Sequence, residues 1–278
     1  MIGKLPLGDL AEALVKWIEV NLGFALDFIT WAIGSVLGFV SSVLAAIPAP
    51  LFILLTALLT LFTTRKLLLS IGAALALLLI DNLGLWSLSI ETLSLVLVSA
   101  SVAILIGVPM GILCSRNDKL ESVVKIGLDF MQTMPSFVYL IPVVIFFGLG
   151  NVPGMIATIV FAIPPVVRLT DLGIRQVPKE LNEVADSFGS SRLQKLTCVQ
   201  FPVAKPTIMA GINQCVMLSL SMVVIASMIG AKGLGRDVLV AIQRVDIGLG
   251  FEAGVAIVII AVVLDRISQS IGKRENAN

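Results

Sequence analysis

Histidine is absent from this chain of 278 residues. The commonest general base, proton relay and metal ligand is removed with it. Charge is scarce too: Asp, Glu, Lys and Arg make up 13% of the residues, whereas a soluble domain carries about a quarter. The formal net charge of +1 offers no basic face to nucleic acid. The three cysteines, Cys114, Cys198 and Cys215, are scattered and form no CxxC pair. Neither a disulfide framework nor a zinc site is expected from them. There is no GxxxxGK[ST] stretch, so the backbone cradle and lysine that hold a nucleotide's phosphates are missing. The glycine-rich run 230–235 has no lysine-serine after it and reads as a tight turn. Residues 1–10 lack the basic flank, apolar core and cleavage site of a signal peptide.

What the chain has in excess is apolar surface: 58% of its residues are hydrophobic and its mean hydropathy is +1.05. Such a chain folds in lipid. Its apolar runs are continuous rather than alternating, which excludes a membrane β-barrel. The expected fold is all-α and polytopic. About seven transmembrane helices are expected, near 46–64, 67–85, 90–114, 125–148, 153–170, 207–230 and 250–268. Only Arg65-Lys66 separates the first two. Pro109, Pro135, Pro142 and Pro164-Pro165 are placed to kink or break their helices. Gly34–Gly38 and Gly107–Gly111 have the GxxxG spacing that permits close helix packing.

Residues 9–44 alternate between apolar positions and Asp9, Glu12, Lys16, Glu19 and Asp27. The expectation is one or two amphipathic helices lying on the bilayer, with Trp17 and Trp31 at the interface. The alternative is that 23–44 crosses, giving eight passes and a cytoplasmic N-terminus. The chain then divides into a segment 1–44, a membrane domain 45–270 and a tail 271–278.

Lys and Arg set the orientation. Fourteen of the nineteen, including Arg65, Lys66, Arg116, Arg168, Arg175, Lys179, Arg192, Lys195 and Arg266, fall on one set of loops. The positive-inside rule makes that set cytoplasmic. The seven-span arrangement puts the N-terminus outside and the C-terminus inside.

One cytoplasmic stretch, 171–206, is polar where its flanks are not. Pro178 suits a first helical turn. Lys179 to Phe188 reads as a short amphipathic helix with Leu181, Val184, Ala185 and Phe188 on one face. Gly189 is placed to end it. A second helix is expected from Arg192 to Val199, stopped by Pro202, with Pro206 opening the next span.

The pattern E-x-A-x3-G-x9-[IV]-x-[LF]-P is met by Glu183, Ala185, Gly189, Val199, Phe201 and Pro202. It resembles the EAA loop of the membrane subunits of ATP-binding-cassette importers, with Val184 in place of Ala and Phe201 in place of Leu. The stretches 131–150, 162–178 and 206–239 are further similar to permeases for glycine betaine, proline betaine and related quaternary amines. That resemblance runs from about residue 45 to 270. It implies a type I importer architecture in a bacterial cytoplasmic membrane. It implies that Glu183, Ala185, Asp186, Gly189 and Pro202 belong to the segment that couples to the ATPase. The implied partners are two cytoplasmic ABC ATPase subunits, a second copy of the chain and an extracytoplasmic solute-binding protein. ATP and magnesium belong to the ATPase, and no cofactor is expected on this chain.

The spans are almost free of midmembrane charge. Asp81, Glu91 and Glu252 lie near outer ends; Arg168, Asp171 and Asp265 lie near inner ends. That scarcity weighs against an ion-coupled carrier and suits a neutral or zwitterionic solute. The polar and soft residues of 125–148 and 207–230 are the candidate pathway: Gln132, Ser136, Tyr139, Gln214, Ser219 and Met222, with Thr133, Ser221 and Ser227 beside them. A hydroxyl in a span commonly bonds its own backbone instead. Gln214 stands out, because a midspan amide is costly without a partner. Quaternary ammonium groups bind in cages of aromatic rings, and Tyr139 with Phe137 is too little for one. High-affinity recognition is therefore expected on the separate binding protein. The alternative is a stand-alone secondary carrier or channel for a small zwitterionic solute, which would transport without any ATPase.

Overall fold

A computed structural model describes residues 7–274. Helix α1 (Leu7–Ala46) is one unbroken rod of 40 residues, roughly 60 Å long. No proline interrupts it before Pro48. Its charges are tolerated on the exposed side, where Lys16 pairs with Glu12 one turn away at 2.6 Å. The expected one or two amphipathic helices on the bilayer are thus a single helix whose residues 15–45 are long and apolar enough to cross a membrane, a longer stretch than the 23–44 of the alternative.

Helices α2 (Ala49–Thr64) and α3 (Leu67–Asn82) have 16 residues each, about 24 Å against a hydrocarbon core of ~30 Å. The two spans expected here are a hairpin of short apolar helices. Arg65 turns the chain in the left-handed conformation, φ 55°, and Ser70 Oγ donates to the Ala57 carbonyl across the hairpin at 2.6 Å.

Helix α4 (Trp86–Arg116) keeps Pro109 inside it. Asn117 then caps α5 (Asp118–Thr133), accepting from the N–H groups of Lys119 and Leu120. The expected single span 125–148 is broken: α5 and α6 (Ser136–Phe147) meet at 101°. Met134, preceding Pro135, is extended at φ −70°, ψ 130°, as the proline ring demands of its neighbour. Pro142 in α6 and Pro164-Pro165 in α7 (Asn151–Arg175) lie within their helices.

After α7 come α8 (Lys179–Ser187) and α9 (Arg192–Lys195), then a π-helical stretch, Leu196–Gln200, that runs into α10 (Phe201–Ser221). Pro202 therefore does not stop the second helix, and Pro206 lies inside α10 rather than opening it. The wider π turn, in which the Phe201 N–H reaches the Leu196 carbonyl, lets the chain pass into proline-containing helix without ending. A short α11 (Val223–Ser227) leads to the glycine turn. Next is α12 (Leu234–Arg244), which the apolar-run reading does not anticipate, and α13 (Ile247–Arg274). Among the described residues five helices are long and apolar enough to cross, six with the bent α5–α6 pair. The expected count of about seven is revised accordingly, while the all-α polytopic fold holds.

The core is α4 packed on α7 and α7 on α10. Small residues make it possible. A Cβ on Gly107 would sit 2.9 Å from Val166, and one on Gly111 would sit 2.6 Å from Thr170 Cβ and 2.7 Å from the Val167 carbonyl. Of the two GxxxG pairs, this one is where helices meet. Gly38 has open space around it, and Gly34 only ordinary contact with Val152. At the end opposite the basic loops, the 230–235 turn is stapled by three bonds. Gly150 N–H reaches the Ile229 carbonyl, Lys232 N–H reaches Asn151 Oδ1, and Leu234 N–H reaches Thr92 Oγ1, at 2.9, 2.7 and 2.8 Å.

Candidate functional site

The polar stretch forms a compact knuckle beneath α7 and α10. Helix α8 begins directly after Pro178 and ends in a left-handed turn at Gly189, φ +70°. There Gly189 N–H bonds the Asp186 carbonyl and Ser190 N–H the Ala185 carbonyl. A Cβ at Gly189 would meet nothing within 4 Å, so conformation rather than space dictates glycine here. Ser191 and Gln194 then form a capping box at the start of α9. Two contacts fold the knuckle shut: Lys195 Nζ pairs with Asp186, and Gln200 Nε2 donates to Asn182 Oδ1 at 3.0 Å.

The face expected to be uniformly apolar is divided. Ala185 turns inward at 6% exposure, whereas Val184 at 52% and Phe188 at 86% stand out, with Leu181 and Leu193 exposed beside them. Glu183 is exposed, its carbonyl accepting from Ser187 Oγ. Pro202 is exposed at the start of α10.

The knuckle is seated on an ionic hub. Arg175, at the end of α7, donates to Asp171 and Asp118 at 2.8 and 2.7 Å, lies 3.2 Å from Glu121, and reaches the Cys114 carbonyl. One guanidinium thus ties the ends of α4, α5 and α7. Arg168 adds a second link to α5 through Asp129 at 2.6 Å. On the other side, α10 is clamped to α13. Asn213 Nδ2 and Gln269 Nε2 donate to Asp265, at 3.0 and 2.8 Å, and Ser268 Oγ donates to Asn213 Oδ1. Neither the hub nor the clamp was foreseen. Their members lie 52 or more residues apart in the longest links, and local periodicity carries no trace of such pairing.

The structure separates the pathway candidates. Tyr139 and Met222 are brought together: both are buried, and the phenol hydroxyl points at Met222 Sδ, 3.8 Å away. Ser219 is fully buried and donates to the Cys215 carbonyl on its own helix; Ser227 does the same to Val223. Thr133 and Ser221 also bond their own helices. Gln132 and Ser136 are half-buried on either side of the α5–α6 bend. Gln214 is exposed, on a face of α10 shared with Met217 and Ser221, and its amide makes no hydrogen bond among the described residues. No group of His, Cys, Asp or Glu suited to a metal occurs among the described residues.

Comparison with known proteins identifies the family and the fold. Residues 103–275 match the family described as "binding-protein-dependent transport system inner membrane component". The chain is 51% identical over 98% of its length to the glycine betaine/carnitine transport permease protein GbuB of Listeria monocytogenes, covering 98% of that protein. It is 45% identical to the glycine betaine transport system permease protein OpuAB of Bacillus subtilis, over 96% of this chain and 95% of that one. Against the glycine betaine/proline betaine permease ProW of Escherichia coli, identity is 43% over 97% of this chain and 76% of that protein. In fold it is similar to a chain of the MetNI methionine ABC transporter in an inward-facing conformation. The TM-score is 0.61 at 20% identity, over 66% of this chain and 93% of that chain. With the family match spanning most of the membrane domain, the chain belongs to the binding-protein-dependent transport system inner membrane components, the permease subunits of ABC importers.

Proposed function

We propose that this permease moves a betaine-like quaternary amine or related compatible solute inward, driven by ATP hydrolysis on separate subunits. The solute class rests on the relatives' printed substrates, glycine betaine, proline betaine and carnitine. The drive rests on one observation: the knuckle offers an exposed apolar edge, Leu181, Val184 and Phe188, next to the Glu183 carboxylate. An edge of that kind in water is a docking surface. Two ATPase subunits, a second copy of this chain and an extracytoplasmic binding protein complete the proposed assembly. ATP and magnesium belong to the ATPases.

In this reading Glu183 and the exposed edge sit in a groove of the ATPase. Ala185, Asp186 and Gly189 hold the shape of the knuckle. Pro202 lies where the knuckle becomes α10, so motion of the ATPase dimer reaches the spans as motion of α10 and, through Asp265, of α13. Gln214, with Gln132 and Ser136, faces the solute path or the second copy. Tyr139, Met222 and Ser219 support that surface from behind. The bias of Lys and Arg towards one set of loops supports a cytoplasmic knuckle and C-terminal end. The last turns of α1, through Ser41, Ser42 and Ala45, line a hollow shared with Glu91, Asn151 and Lys232, at the end away from the knuckle. Helix α1 is long enough to cross, and crossing would bring the N-terminal end to the knuckle's side; the interfacial arrangement would leave it outside. Reporter fusions at both ends distinguish the two.

The test is uptake of labelled glycine betaine by proteoliposomes holding the assembled complex. Glu183→Arg is expected to abolish uptake and solute-stimulated ATP hydrolysis while the complex still binds detergent and lipid as before. Unchanged uptake in E183R would refute the coupling role. Uptake in vesicles lacking every ATPase would replace this reading with the stand-alone carrier.

A further inference from the structure

Two adjoining hollows lie between the α2–α3 hairpin and α13. One is an apolar groove of about 310 Å³ between α3 and α13, floored by Gly72, Ala73 and Ala76 and walled by Val258 and Val262. The other is a polar recess of about 230 Å³ at the basic end of the same groove, lined by Thr63, Lys66, Arg266 and Ser270. Leu69 and Arg266 belong to both, so the two are continuous.

The chemistry of the recess is one-sided. Lys66 and Arg266 make no ion pair among the described residues. The nearby carboxylate of Asp265 is already engaged by Asn213 and Gln269. The Thr63 and Ser270 hydroxyls donate to the Leu59 and Ile267 carbonyls, both at 2.8 Å. Their oxygens are thereby left as acceptors. Two cations and two acceptor oxygens fit a phosphate that carries a hydroxylated headgroup. The groove beneath has room for a hydrocarbon chain: a Cβ on Gly72 would meet nothing within 4 Å.

We propose that this composite site binds an anionic phospholipid with a hydroxyl-bearing headgroup, of which phosphatidylglycerol is the representative. Lys66 and Arg266 hold the phosphate, Thr63 and Ser270 accept from the headgroup hydroxyls, and an acyl chain lies along Gly72 between α3 and α13. Basic pockets between helices at a membrane surface bind anionic headgroups. The occupant also answers a geometric problem. Helices α2 and α3 are shorter than the hydrocarbon core is thick, and a headgroup drawn in at their turn accommodates the mismatch locally. The lipid would brace the hairpin on α13. This inference does not depend on the solute or on the ATPase.

The test is native mass spectrometry of the whole chain, extracted from vesicles of equal phosphatidylglycerol and phosphatidylcholine. Phosphatidylglycerol is expected to stay bound and phosphatidylcholine to leave. Each basic side chain near an anionic surface is worth about fivefold in affinity. Retention in K66Q/R266Q should therefore fall about thirtyfold. G72L, which keeps both charges but fills the groove, should also lose the lipid. Glycerophosphoglycerol, the headgroup without chains, should not compete. If K66Q/R266Q does not survive purification, K66Q alone and G72L make the same test. Equal retention of the two lipids overturns the proposal, as does indifference to the charge variants, which is the result expected if a second copy of the chain covers the groove. Retention unaffected in G72L, or full competition by glycerophosphoglycerol, also overturns it, leaving only an anion pocket.

Discussion

The Tyr139 hydroxyl lies 3.8 Å from Met222 Sδ, across 83 residues of sequence. This contact joins α6, the far limb of the broken span, to the short connection between α10 and α11. The near limb, α5, is held to α7 by Asp129 and Arg168. Both limbs of the 101° bend are therefore fixed independently, and the bend is a built feature rather than a loose joint.

Met222 is fully buried and Tyr139 nearly so, and their substitutions should read as packing changes. Met222→Ala is expected to lower stability by about 2–5 kcal/mol, and Met222→Leu by less than about 1.5 kcal/mol. Tyr139→Phe loses a weak bond to sulfur and the contact of its hydroxyl with Ser136, and should cost about 1 kcal/mol. Thermal unfolding in detergent ranks the three. If these side chains instead touched solute, Tyr139→Phe would raise the KM for uptake with no change in melting, and that outcome would move them from support to pathway.

Gly189 is the hinge of shape in the knuckle. Its φ of +70° is unfavourable for any residue with a Cβ, while space around it is open. Gly189→Val is therefore expected to strain only the turn, by about 1–2 kcal/mol, and to leave the spans folded. Solute-stimulated ATP hydrolysis should drop sharply, with little change in the melting of the membrane domain. Gly189→Asn, which tolerates the left-handed region better, should recover part of it. Equal loss in both variants would mean that lack of a side chain, not backbone shape, is what the position requires.

Much of this was readable from the chain. Pro178 before α8 and Gly189 after it bound the helix where local rules place them, since capping chemistry is written in adjacent residues. The break at Arg65-Lys66 and the turn at 230–235 were equally local. The span count was not. The sixteen mostly apolar residues of α2 read as a span because hydropathy measures composition, whereas crossing also needs length. Pro135 breaks its helix while Pro109, Pro164 and Pro165 do not, and nothing near each proline tells them apart; tertiary packing decides. The inward turn of Ala185 and the Asp265 clamp depend on residues from other helices, which no periodicity encodes.

Asp265 gathers donors from both α10 and α13. Asp265→Leu would strip the acceptor from the Asn213 and Gln269 amides in a partly buried setting. Each orphaned donor costs about 1–3 kcal/mol. Asp265→Asn keeps the shape and one acceptor oxygen, so it should retain part of the link. The expected order of melting temperature is wild type, then D265N, then D265L. If the clamp carries motion from the knuckle to α13, D265L should also uncouple ATP hydrolysis from uptake. Melting that is unchanged in D265L would show that the α10–α13 contact is held by its apolar packing alone.

The most severe effect should come from Gly111. Its missing side chain lets α7 approach α4 so closely that a new methyl would stand 2.7 Å from the Val167 backbone carbonyl. A side-chain tip could swing aside, but backbone cannot yield without moving the helix. Gly107 faces Val166 Cβ and Cγ1 at 2.9 Å, a looser approach than the 2.6 and 2.7 Å at Gly111 and one without a backbone carbonyl in the clash. Gly111→Ala is thus expected to cost more than Gly107→Ala, with overpacking of about 1–3 kcal/mol or more at position 111. Gly38→Ala, at the unused GxxxG pair with nothing within 4 Å, should be neutral. Membrane expression and melting of the three single variants give the order directly. Were Gly38→Ala as damaging as Gly111→Ala, a surface outside this chain would have to be packed against α1.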